Sequence, residues 1–160
     1  MKYEFAEDLQ KIAEEISRLL FPHVKVDRLR CFRSYGTSSK GTIARCHTIG
    51  KLMQRAMNTE AFYALEFLSE RFDKMDEEEK IKVIIHELMH IPSTFGGGFR
   101  HHDHVCEGNV NKCYRTYKIK KKEVEKEDFL DVKELKWKNE DNLNEIKKIR
   151  KNEKKNWFSL

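Results

Sequence analysis

The spacing of apolar residues divides the first half of the chain into one helix and three short strands. Apolar positions recur every three or four residues over 3–21, which predicts an amphipathic helix ended by Pro22. Residues 24–32 and 42–48 alternate apolar and polar around the turn-rich SYGTSSKGT, so we expect a hairpin. The aromatic-rich residues 61–67 are interpreted as a third strand, although their Ala, Leu and Glu also suit a helix.

The second half begins with a well-marked helix. Asp76 can cap its N-terminus, with Glu79 three residues on, and Pro92 must end it. The intervening residues 83–89 are apolar on most sides of a helix, which predicts that this helix lies in the interior. Residues 105–118 can form a further helix.

The C-terminal part of the chain differs from the rest in charge. The formal net charge is +5, and the residues from Lys118 onward contain 14 Lys or Arg against 10 Asp or Glu, so +4 of the excess lies there. Few apolar positions interrupt this charge, and their spacing suits helices. We therefore predict a domain over 1–119 and a charged, helical extension over 120–160.

One pentapeptide carries the candidate chemistry. Residues 86–90 read H-E-L-M-H, and on a helix His86 and His90 lie one turn apart, so both imidazoles can bind one zinc ion. Glu87 is then placed beside the metal, where it can take a proton from a zinc-bound water as a general base. A chance match on a surface helix would lack the apolar residues that surround these histidines here.

A catalytic zinc site needs a third protein ligand and an open position. After Pro92, three consecutive glycines can reverse the chain and deliver His101, His102 and His104. We choose His102 as the third ligand, because it leaves the loop just before the next helix. His101 and His104 are alternatives, and Asp103 could orient a ligand imidazole.

The cysteines and the lengths of the apolar runs indicate the cellular compartment of the protein. Four cysteines, at 31, 46, 106 and 113, favour free thiols or metal ligands over disulfides, and buried inert thiols are the simplest interpretation. A second zinc site built from them is a weaker alternative. No secretory signal or run of about 18 apolar residues is visible, so we expect a cytoplasmic protein without a membrane span.

Three stretches resemble a family of metallopeptidases from archaea and phages, which is similar to the SprT-like branch of the zincins. These stretches are CFRSYGTSSKGTIAR, FYALEFLSERFDKM and KVIIHELMHIPSTFGGGFRHHDH. The resemblance implies an α+β fold, with a small antiparallel sheet packed on a buried HExxH helix. It also implies an edge strand near residues 61–68 that binds extended substrate by strand addition. The distance from His90 to His101 or His102 is similar to the family's third-ligand spacing.

We therefore expect a zinc metallopeptidase that acts on proteins or peptides. The alternative is a non-catalytic zinc-stabilised module that binds a protein or nucleic acid. The basic extension could contact nucleic acid weakly, but its lysines alternate with acids, which favours a solvated helical face. Nothing in the sequence indicates the oligomeric state.

Overall fold

The computed structural model describes residues 1–157, with side chains described except at 137, 146 and 149–157. The last residues of the predicted extension, 158–160, lie outside the described part. The chain is α+β, as predicted. In chain order its elements are β1 Lys2–Phe5, α1 Glu7–Leu20, β2 Leu29–Tyr35, β3 Ala44–Thr48, α2 Lys51–Ala56, β4 Tyr63–Leu68, α3 Ser69–Phe72, α4 Glu77–Met89 and α5 Glu107–Trp157.

The four strands form one mixed sheet in the order β1-β2-β4-β3. The expectation of an antiparallel sheet is therefore wrong. Strands β2 and β4 run parallel, while the pairs β1–β2 and β3–β4 are antiparallel. The expected hairpin between β2 and β3 is also wrong, since β4 lies between them. All but one of the β4 side chains are buried. A strand with this burial belongs in the middle of a sheet, where both of its faces are covered.

The position of β4 also shows that the expectation of an edge strand near residues 61–68 is wrong. Residues 61–68 do not provide an edge strand, since β4 pairs with β2 on one side and β3 on the other. The edges are β1 and β3. The sequence pattern placed residues 3–5 at the start of the first helix, but they belong to β1, which extends the sheet and pairs with the end of β2.

The core lies between the sheet and two helices. Helix α1 contacts β2 and α4, and α4 contacts β3. Fully buried side chains of the sheet meet the apolar residues of both helices. The sheet contributes Leu29, Cys31, Leu65 and Phe67, and α4 contributes Ile84 and Leu88. Helix α4 begins as predicted, because Asp76 Oδ1 accepts a hydrogen bond from the Glu79 backbone N–H at 2.8 Å. The helix that carries the candidate chemistry is thus anchored at its start and buried along one side.

Two compact units divide the chain, Met1–Ile119 and Lys120–Leu160. In the second unit none of the described side chains is buried, and apolar residues such as Phe129 and Leu135 are exposed. No helix in the described part is long and apolar enough to cross a membrane. Independent folding of residues 1–119 and a nucleic acid contact through the extension stay predictions.

We predict that a chain ending at Ile119 keeps its fold and its melting temperature. All the described buried side chains lie before this residue, including Val110 and Tyr117 of α5. A chain ending at Cys106 is the control. It lacks Val110 and Tyr117, whose hydroxyl hydrogen-bonds Glu15, and should melt at a clearly lower temperature. Circular dichroism melting curves measure both, and an unfolded 1–119 chain would show that the extension belongs to the domain.

Candidate metal centre

His86 of helix α4 and His90, which follows the last helical residue as its cap, lie on one face, one turn apart. Their Nε2 atoms are 3.3 Å apart and their ring centroids 5.0 Å. Two nitrogens bound to one tetrahedral zinc ion, each at about 2.0–2.1 Å, would be separated by about 3.3–3.4 Å. The two imidazoles therefore already have the spacing that a shared ion requires.

The loop that follows α4 turns back onto the end of the helix. The Arg100 backbone N–H donates to the His90 carbonyl oxygen at 2.8 Å, and the His90 ring atom Nδ1 lies 2.7 Å from the Arg100 carbonyl oxygen. A carbonyl oxygen only accepts, so Nδ1 must be the protonated nitrogen. This leaves the Nε2 lone pair of His90 free to bind a metal.

This return brings His102 beside the helix pair. Its ring centroid lies 4.9 Å from that of His90 and 5.7 Å from that of His86. One nitrogen from each of the three histidines lies within 4.8 Å of the others, the only such group within the described residues. The alternatives His101 and His104 are outside it. The structure thus brings together three of the five histidines that the sequence pattern offered.

Two side chains outside the histidine group anchor the glycine-rich loop. The Tyr63 hydroxyl accepts from the Gly97 N–H at 3.0 Å and donates to the Gly98 carbonyl at 2.8 Å. Gln54 Nε2 donates to the carbonyls of Ile49 and Gly96, at 2.7 and 3.0 Å. The sequence reasoning missed these anchors. The GGG run predicts a loop, but no local pattern identifies a partner 34 residues away.

Burial and neighbouring charge favour neutral imidazoles. Burial, together with the adjacent His90 and His102, lowers the pKa of His86 to about 4, because a second positive charge would repel the first. Burial also lowers the pKa of His90, against the opposing effect of the Arg100 carbonyl. Neutral imidazole is the form that binds metal ions, so these two side chains are suited to be ligands at neutral pH.

Glu87 lies on the buried side of the same helix and is 6% exposed. Its burial raises the pKa of the carboxyl to about 7, and a hydrogen bond from the Cys46 backbone N–H acts in the opposite direction. That bond ties the carboxyl to the edge strand β3. A cation nearby would lower the pKa of this group and favour the carboxylate.

Two cavities meet at these residues. The larger has a volume of about 740 Å³ and the smaller about 370 Å³. Ala44, His86, Glu87 and His102 line both. The candidate centre therefore opens to the surface on two sides, with β3 beside it.

The remaining sequence candidates lie elsewhere. Asp103 Oδ1 accepts from the His104 N–H at 2.9 Å, whereas the Arg100 carbonyl orients the His90 ring. The cysteines are free, and no metal-type group in the described chain includes them. Burial raises the pKa of Cys31 and also that of Cys46, which disfavours the thiolate that a metal needs. The expectation of buried thiols fits Cys31, whereas Cys46 and Cys113 are half-buried and Cys106 is exposed.

A buried helix with two histidines one turn apart, a carboxyl between them and a third histidine returned by a loop defines a metallopeptidase type of site. Comparison with known families agrees with this class. Over residues 1–137 the chain matches the family described as "Putative phage metallopeptidase", and it belongs to that family. No curated protein and no solved structure matches the chain. Family membership implies a hydrolase with a metal cofactor.

We predict that Gly97→Ala disturbs the metal centre and that Gly98→Ala does not. Gly97 has φ +90°, and an added Cβ would lie 2.5 Å from the Ile49 carbonyl oxygen and against Gln54, whereas nothing lies within 4 Å of a Cβ at Gly98. Backbone strain of this kind costs about 1–3 kcal/mol. Gly97→Ala should therefore lower both the melting temperature and the zinc affinity. Equal zinc affinities of the two variants would contradict the role given to the loop.

Proposed function

We propose that the protein is a zinc-dependent metallopeptidase in which His86, His90 and His102 bind the zinc and Glu87 is the general base. The observation that carries this proposal is the group of three histidine nitrogens within 4.8 Å, beside a buried carboxyl on the same helix. Three imidazoles are a donor set that suits zinc. They leave the fourth coordination position open for water or substrate, as a catalytic site requires.

The zinc and Glu87 have separate roles in the proposed reaction. When bound, the zinc polarises the carbonyl of the peptide bond and makes water acidic enough to serve as a nucleophile near neutral pH. Glu87 accepts the proton that the attacking water loses. One of its two oxygens can stay hydrogen-bonded to the Cys46 N–H while the other takes the proton. The carboxyl then donates this proton to the leaving amine.

The edge strand β3 offers a binding surface for the substrate backbone. Backbone bonds from Ile49 to Phe62 and from Leu68 to Ile43 mark the residues of this segment that face β4. Because antiparallel strands alternate, the backbone groups of Ala44, Cys46 and Thr48 face away from the sheet. Glu87 occupies the Cys46 N–H, so an extended peptide could pair with the backbone groups of Ala44 and Thr48 and with the Cys46 carbonyl, passing beside Glu87. This supports a protein or peptide substrate and a zincin-like placement of the sheet edge above α4.

A non-catalytic, zinc-stabilised module is the competing function. A structural zinc site uses four side-chain ligands. Within the described residues the group contains three, and Cys106, the cysteine nearest to these histidines in the sequence, is exposed and outside it. A buried carboxyl at Glu87 also has no purpose in a structural site. Both observations favour the enzyme.

The third ligand is tested by replacing each loop histidine in turn. His102→Ala should bind zinc much more weakly than the parent, because one of three ligands is lost. His101→Ala and His104→Ala are the matched controls and should retain about one zinc per chain. Zinc stoichiometry after dialysis, measured by atomic emission, gives the result. Full zinc in His102→Ala together with loss in either control would move the third ligand to that histidine.

We predict that Glu87→Gln keeps the zinc and the fold but loses nearly all peptidase activity. The amide preserves the size and can still accept a hydrogen bond from Cys46, but it cannot take the proton. Loss of a positioned general base lowers turnover by about a hundred- to ten-thousandfold. Activity on unfolded protein and zinc content should be measured on the same samples. Equal cleavage by parent and variant would remove Glu87 from the mechanism.

A further inference from the structure

The larger of the two cavities has walls that differ from those of the smaller. Apolar side chains of Ile43, Met75, Val83 and Val110 contribute to it, next to His86 and Glu87. These four also pack against the hydrophobic core, and Val110 is only 6% exposed. The wall is therefore held by core packing, so its shape does not depend on a mobile surface group.

The rim of this cavity carries uncompensated negative charge. Glu79 and Glu107 are exposed, and within the described part of the chain their carboxylates make no ion pair. Lys82 also lines the cavity, but its ammonium is 2.7 Å from Glu78 and lies over the Tyr114 ring. Its charge is thus largely offset.

The smaller cavity has the opposite charge. It is lined by Arg45 and Arg100 beside the metal-type histidines. Arg45 lies 3.4 Å from Glu66, whereas Arg100 is exposed and has no ion pair among the described side chains. The two sides of the candidate centre therefore differ in charge, although Phe99 also gives the smaller side an apolar surface.

We propose that the larger cavity binds one large apolar side chain of the substrate, next to the bond that is cut, and that Glu79 and Glu107 exclude acidic side chains from it. This inference rests on the proposed peptidase function. An extended peptide on β3 passes Ala44, which lines both cavities, so the residues on either side of the cut bond meet different surroundings. Four core-packed apolar side chains wall the larger side, whereas the smaller side offers one large apolar side chain, Phe99.

The expected selectivity follows from the cavity's chemistry. A missing methylene group in an apolar pocket lowers kcat/KM by about 10- to 200-fold, so a peptide with Leu at this position should be cut far better than one with Ala. A Glu side chain loses the apolar contact and also faces two carboxylates, and it should be the poorest. The same Glu placed across the cut bond should be tolerated, because it faces Arg100.

The test uses peptides that differ only at the two residues that flank the cut bond, with Leu, Ala or Glu placed at each in turn. We would measure kcat/KM with the zinc-loaded parent, and Kd with zinc-loaded Glu87→Gln, which reports binding without turnover. Leu above Ala above Glu in both measurements is the expected order. Equal values for the three peptides on the larger side, or a preference for Glu there, would overturn the proposal.

Two variants locate the selectivity in the cavity. Met75→Trp narrows it and should lower kcat/KM for the Leu peptide about tenfold or more, with little change for the Ala peptide. Glu79→Lys should raise kcat/KM for the Glu peptide by about two- to fivefold, the size of an exposed charge interaction. Glu77→Lys is the matched control, since it makes the same charge change in the same helical turn but does not line the cavity. Circular dichroism checks that each variant is folded.

The outcomes separate this inference from the proposed function. Ordered Kd values without any cleavage by the parent would overturn the peptidase proposal and leave the cavity's preference standing. Cleavage of all the peptides at equal kcat/KM would support the peptidase proposal and overturn the cavity's preference. Neither binding nor cleavage would overturn both. Equal effects of Glu79→Lys and Glu77→Lys would remove the rim from the account of acidic exclusion.

Discussion

The candidate metal centre depends on the double contact between His90 and Arg100. One backbone bond joins the Arg100 N–H to the His90 carbonyl at the end of α4, and the His90 ring donates to the Arg100 carbonyl at 2.7 Å. The same contact satisfies a terminal helix carbonyl, closes the loop and sets the tautomer of a ligand imidazole. His102, two residues farther along, is therefore held beside His86 by the way the helix ends.

The sheet supports this contact through its central and edge strands. Tyr63 belongs to β4, is fully buried, and hydrogen-bonds the glycine loop that leads to Arg100. Cys46 belongs to β3 and bonds the carboxyl of Glu87. The strand order thus fixes two things about α4 from outside it. The central strand β4 sets where the loop that follows α4 returns, and the edge strand β3 sets where the Glu87 carboxyl lies.

The site combines groups that are unfavourable to bury without a partner. Burial lowers the pKa of His86 to about 4 and raises that of Glu87 to about 7, so both tend toward the neutral form. Desolvation of this kind is offset when a cation binds, since three neutral imidazoles supply lone pairs and the carboxylate then gains a nearby positive charge. Such an arrangement is typical of functional sites, where pKa values are shifted for chemistry at the expense of stability.

The sequence alone determined what depends on neighbours along the chain. Helix α4, its Asp76 cap and the shared face of His86 and His90 follow from local capping and helical periodicity. Strand pairing depends on distant residues, so the alternating pattern could not reveal that β4 separates β2 from β3, or that residues 2–5 form an edge strand. The sequence likewise favoured His102 as the third ligand without excluding His101 and His104. Only the tertiary structure distinguished them, because the return of Arg100 to His90 decides which of three adjacent side chains reaches the helix.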